Sequence, residues 1–164
     1  MVGCHHDQVT ALLWDDVVDL FDPERMGSLP DLCVPDASVR DWQSLLELVI
    51  ERGWTHRYTD DGVVVPLPPA HTVLARSPFS ELRVWPSEGV LAIFRFYSPD
   101  EIDFDMDLRE LQGQGRLDIF CHFVTAIGRR LGKPVLMHRE GTRSPSVLGF
   151  DVRADRVVRM IEPM

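Results

Sequence analysis

The sequence predicts an α+β fold: an antiparallel sheet, built from a meander plus a C-terminal hairpin, packed with about three amphipathic helices. Three observations predict it. Residues 101–108 alternate strictly between acidic and apolar side chains, the two-residue period of a strand. Residues 114–131 carry Leu117, Phe120, Val124, Ile127 and Leu131 at three- and four-residue steps, with Ile119 and Phe123 widening the stripe, as on one face of a helix. Turn signals at Asp61-Gly62, Pro86 to Gly89 and Ser98 to Asp100 separate short apolar runs.

Taken in order, residues 1–6 read as a flexible tail and residues 7–164 as a single domain. Three adjacent residues, Cys4, His5 and His6, cannot close a metal site. From the N-cap candidate Asp7, apolar residues Val9, Leu12, Leu13, Val17, Leu20 and Phe21 recur at helical spacing, which predicts one helix ending near Asp22-Pro23. Residues 23–37 hold three prolines and a glycine and read as a surface connection. Asp36 or Ser38 can cap the next helix. Val39, Trp42, Leu45, Leu46, Val49 and Ile50 supply its apolar face, and Gly53 ends it.

The period then changes. Trp54 to Tyr58 and Val63 to Val65 flank Thr59-Asp60-Asp61-Gly62, and two short extended runs across an Asp-Gly turn are a hairpin signal. Residues 70–76 read as one or two helical turns. Leu82 to Trp85, Val90 to Tyr97 and the acidic run 101–108 then form the meander. The second of these strands is almost continuously apolar, which predicts cover on both faces. Gly132 and Pro134 stop the long helix, and Arg129 and Arg130 in its last turn suit the helix dipole. Residues 135–138 read as a strand, residues 139–145 as a polar loop, and residues 147–152 and 156–161 as the closing hairpin.

The chain has 164 residues and a net charge of −9. That charge argues against a nucleic-acid surface, which needs a basic stripe. Its distribution is uneven. Residues 1–61 carry 13 acids and 4 bases, whereas residues 129–164 carry 4 acids and 8 bases. No apolar run approaches the roughly 18–20 residues of a membrane span, and the N-terminal residues lack a signal-peptide pattern, so a cytoplasmic protein is expected. Cys4, Cys33 and Cys121 lack metal-ligand spacing and indicate no disulfide framework; Cys121 reads as a small buried hydrophobe.

No nucleotide-binding, nucleophile-elbow or H-E-x-x-H pattern occurs. Cys121 and His122, adjacent on a helix, point about 100° apart and make a poor nucleophile–base pair. What remains is the acid row Glu101, Asp103, Asp105 and Asp107, with Glu110 nearby. It reads as a solvated strand face, as a docking surface for a basic protein, or as carboxylate ligands for a divalent metal. It can also pair internally with Arg153, Arg156 and Arg159. Trp85, beside a proline at a strand end, is a candidate interface anchor. No cofactor is implied by any motif.

The run R-R-L-G-K-P-V-L at 129–136, the Glu140-Gly141 loop and the V-L-G-F-D-V…R-V-V hairpin at 147–158 resemble those of small acidic immunity proteins to bacterial toxins. That resemblance transfers no functional residue. It implies a cytoplasmic inhibitor whose acidic face covers a basic toxin, using electrostatic complementarity for speed and specificity. The leading expectation is therefore a non-enzymatic binding module acting through Glu101, Asp103, Asp105, Asp107, Glu110 and Trp85. An enzyme with a carboxylate-bound divalent metal is one alternative, and a small-ligand-binding or structural subunit domain is another.

Overall fold

The computed structural model describes residues 12–76 and 79–163. The expected tail at 1–6 and the start of the first expected helix lie outside them. Among the described residues, nine strands form one sheet in the order β3-β2-β4-β5-β6-β1-β7-β8-β9. The strands are β1 Asp31–Val34, β2 Thr55–Asp60, β3 Val63–Val64, β4 Ser80–Ser87, β5 Val90–Ser98, β6 Glu101–Met106, β7 Val135–His138, β8 Leu148–Asp151 and β9 Arg156–Arg159. Every pairing is antiparallel. The helices are α1 Trp14–Val17, α2 Pro23–Met26, α3 Val39–Glu51, α4 Ala70–Arg76 and α5 Gln114–Leu131, with short 3-10 turns at Val18–Phe21 and Leu108–Glu110. This is an α+β fold, with the meander β4-β5-β6 and the hairpin β8-β9 in place.

One face of the sheet is covered. Leu82, Phe94, Phe104 and Leu32 share a register row across β4, β5, β6 and β1, and all are buried. Register partners point to the same side. Phe104 meets Phe123 of α5 edge-on with centroids 6.1 Å apart, and Trp42 of α3 packs on Phe96 at 4.7 Å. The apolar stripes of α3 and α5 therefore cover this face. Each such ring contributes roughly 2–3 kcal/mol through removal from water. Close approach is exacting at Gly128 of α5, where an added Cβ would stand 2.1 Å from a ring carbon of Phe150.

The local rules hold at several ends. The Ser38 hydroxyl accepts from the Asp41 amide at 3.1 Å and caps α3. Asp61 and Gly62 both have positive φ in the two-residue β2–β3 turn, as a right-twisted hairpin requires. Gly132 ends α5 in the left-handed region.

Five expectations need correction. Described residues of the first expected helix form α1 and a 3-10 turn instead of one helix; Asp22 then caps α2, with Pro23 in its first turn. The supposed surface connection 23–37 contains α2 and β1, and β1 is hydrogen-bonded between β6 and β7 in the sheet. Its four residues, bounded by Pro30 and Pro35, are too few to show a period. The strand expected at 101–108 ends at Met106, because Asp107 caps the following turn by accepting from the Arg109 amide. Strand β5 is buried on one face only: Leu91, Ile93 and Arg95 are half-buried and Tyr97 is exposed. On α3, Val39 and Ile50 are exposed and Leu48 is buried in their place.

Candidate functional site

The second face of the sheet carries the site. Alternation on β6 buries Ile102, Phe104 and Met106 and turns Glu101, Asp103 and Asp105 the other way. Asp105 pairs in register with Asp31 of β1, and Asp31 with His138 of β7. Asp103 lies between Cys33 of β1 and Arg95 of β5. The missed strand thus brings Asp31, Cys33 and His138 beside the acid row.

Over these strands lies a groove of about 680 Å³. Its wall holds six carboxylates, from Asp31, Asp36, Asp100, Glu101, Asp103 and Asp105, against the two guanidiniums of Arg95 and Arg143. Tyr97 stands exposed at its rim.

The two arginines are held differently. Arg95 rises from the middle of β5. It donates to Asp105 Oδ2 through Nε at 2.9 Å and to Glu81 Oε2 through Nη1 at 3.4 Å, which makes it a rivet between three strands. Arg143 comes from the loop between β7 and β8. The base of that loop is tied down: the Glu140 amide donates to the Met26 carbonyl at 2.8 Å and the Gly141 amide to Asp31 Oδ2 at 3.0 Å. From there Arg143 reaches across to Glu101 Oε2 at 2.6 Å and stands 3.9 Å from Asp103 Oδ1.

A hydrogen bond links the carboxyls of Glu101 and Asp103. Burial pushes the Asp103 carboxyl up to about 7, and the hydrogen bond and negative charge of Glu101 add to the push. Burial also acts upward on Glu101, but the hydrogen bonds from Asp103 and Arg143 outweigh it and hold Glu101 below the usual carboxylate range. His138 is pushed down, first by burial and then by the charge of Arg143. Burial, with Glu101 and Asp103 adding to it, pushes the Cys33 thiol up to about 12, so it is no thiolate nucleophile. Cys33 and Cys121 are both free thiols, and burial raises Cys121 likewise to about 12.

The expected site residues divide. Glu101, Asp103 and Asp105 line the groove together. Asp107 does not line it; it is bound by Arg109, whose Nη2 donates to Oδ2 at 2.8 Å. Glu110 is also elsewhere, its Oε1 accepting from the Leu91 amide at 3.0 Å at the start of β5. Trp85 is half-buried on β4 beneath the Arg57 guanidinium, 5.7 Å from the ring centroid, and takes no part in the groove. The arginines that meet the acid row are Arg95, Arg109 and Arg143. The expected pairing with Arg153, Arg156 and Arg159 does not form there: Arg159 pairs with Asp19 at 2.6 Å. Asp31, Asp36, Asp100, Tyr97, Arg143 and His138 escaped sequence reasoning, since only strand register and a loop crossing assemble them.

Among the described residues, no group of three or more His, Cys, Asp and Glu side chains is placed to hold a metal ion, and no helix is long and apolar enough to cross a membrane. Comparisons with family models, with curated proteins and with solved structures find no match to this chain.

Proposed function

We propose that this chain is a non-enzymatic protein-binding module, an immunity-type inhibitor that docks a basic protein in the groove on the uncovered sheet face. The observation that carries the reading is the imbalance of six carboxylates against two guanidiniums in one concavity of about 680 Å³. Such a wall focuses a negative field and steers a basic partner. The exposed Tyr97 at the rim adds an aromatic of the kind enriched at interface centres.

The divalent-metal alternative finds less support. Three of the acids it would use are committed to arginines: Glu101 to Arg143, Asp105 to Arg95 and Asp107 to Arg109. The reading takes the chain to work in the cytoplasm, where its two described free thiols stay reduced.

A suitable test variant changes Asp36, Asp100 and Asp103 to Asn together. Asp36 has a positive φ, which Asn tolerates well. Tagged wild type and variant are used as baits in lysate, with circular dichroism confirming the fold of both. The proposal expects a basic protein held by the wild type, released by salt and lost from the variant. An empty wild-type bait, or equal capture by both, contradicts it.

A further inference from the structure

We infer that the Glu101–Asp103 pair is a receptor for an arginine side chain of the partner, and that Arg143 is the chain's own stand-in, displaced when the partner binds. The inference rests on the groove reading above and names the side chain that the groove takes.

The first observation is the contrast between the arginines. The Arg95 side chain is 33% exposed and bridges two carboxylates from within the sheet. The Arg143 side chain is 66% exposed, comes from a loop, and uses one nitrogen to reach the pair. Its partners are sunk, Glu101 at 26% exposure and Asp103 at 21%. A sunk acid pair under a solvated, loop-borne guanidinium is a site with a removable occupant. Residues 141–145 are exposed, so the loop can carry the guanidinium away while its base stays tied to Asp31 and Met26.

The second observation is independent of the acids. His138 is 5% exposed, and its Nδ1 is buried with no hydrogen-bond partner. Buried polar atoms in folded proteins are nearly always satisfied, and an orphan asks for an explanation. His138 lies on the groove side of β7, in register with Asp31. It feels the charges of Arg143, Asp31 and Glu101. Burial and the charge of Arg143 disfavour the charged ring, and Nδ1 is left without a partner. The pair therefore offers the remaining acceptor oxygens of two carboxyl groups to an incoming group, with the His138 ring beside them on the same side of the sheet. A guanidinium has five N–H donors in a planar fork and can serve several acceptors at once. An ammonium is a point charge with three donors. The arrangement favours arginine over lysine.

A self-occluded site weakens apparent affinity by the fraction of time it is open. Removal of Arg143 should therefore strengthen binding of an arginine-bearing ligand. The test uses the full chain as wild type, Arg143→Ala and Arg143→Gln, the last keeping a long polar side chain should the alanine variant fail to fold. The probes are labelled nona-arginine and nona-lysine peptides, read by fluorescence anisotropy at fixed salt. The expected result is about tenfold tighter nona-arginine binding by the Arg143 variants, a smaller gain for nona-lysine, and loss of the gain when Glu101→Gln is added. If wild type binds nona-arginine and the variants bind it equally or more weakly, or if arginine and lysine peptides gain alike, the inference is overturned and the groove reading stands. If neither wild type nor variants bind nona-arginine, both fall.

Discussion

The two faces of β6 divide the labour of the molecule. On one, Ile102, Phe104 and Met106 are buried under helices. On the other, Glu101, Asp103 and Asp105 line a groove, and two of the three are held by arginines from other segments. Aspartate is a poor strand former, so the apolar face has to supply the stability that keeps the acids in a row. The difference teaches that one face sets the fold while the other is free to set charge. A substitution on one face should be felt mainly in stability, and on the other mainly in binding and in pH response.

The most severe way to break that division is Phe104→Ala. It removes a ring stacked on Phe94 at 4.7 Å and should cost about 3–5 kcal/mol in denaturant unfolding. An effect as small as that of a surface change would mean the covered face is not the source of stability. Next comes Arg95→Ala, which strands Asp105 while Glu81 keeps Arg83 at 2.8 Å, and should cost about 1 kcal/mol after allowance for partial exposure. A neutral result would demote Arg95 from rivet to surface charge.

Smaller still is the pH response. The folded state keeps a proton on Asp103 up to about 7, whereas the unfolded chain loses it near the ordinary value of 3.8. The unfolded state therefore binds fewer protons across this window, and stability falls as pH rises from about 4 to 7. Glu101, held low, acts only at more acid pH. Asp103 should withdraw on the order of 1 kcal/mol of wild-type stability between pH 5 and pH 8, allowing for solvent screening, while His138, held low, works in the opposite sense. Asp103→Asn should flatten that slope in thermal melts; an unaltered slope would place the titrating group elsewhere. Smallest is Arg109→Ala. It removes an exposed guanidinium from Asp107, outside the groove, and should leave both the melting temperature and peptide binding unchanged.

Legibility in the sequence followed the length of each pattern. The 18 residues of α5 and the period-two run of β6 each repeat often enough to fix type and face. Strand β1 has four residues between two prolines, and nothing local distinguishes it from a loop. Its place in the sheet is decided by β6 and β7, which offer it hydrogen bonds on both sides. The candidate site shared that limit. Three acids of β6 could be read from parity, but parity also recruited Asp107, which the chain uses as a cap. His138, Asp31 and Arg143 are brought to those acids by strand order and by a loop anchored at Glu140 and Gly141, and no spacing in the chain encodes either.

A residue-resolved amide NMR titration of the wild type with nona-arginine would locate the docking surface. Shifts are expected only at residues 31–36, 95–105 and 138–143, vanishing at high salt and in the Asp36/Asp100/Asp103→Asn variant. Shifts clustered on α3 or α5, or spread evenly over the surface, would contradict docking in the groove.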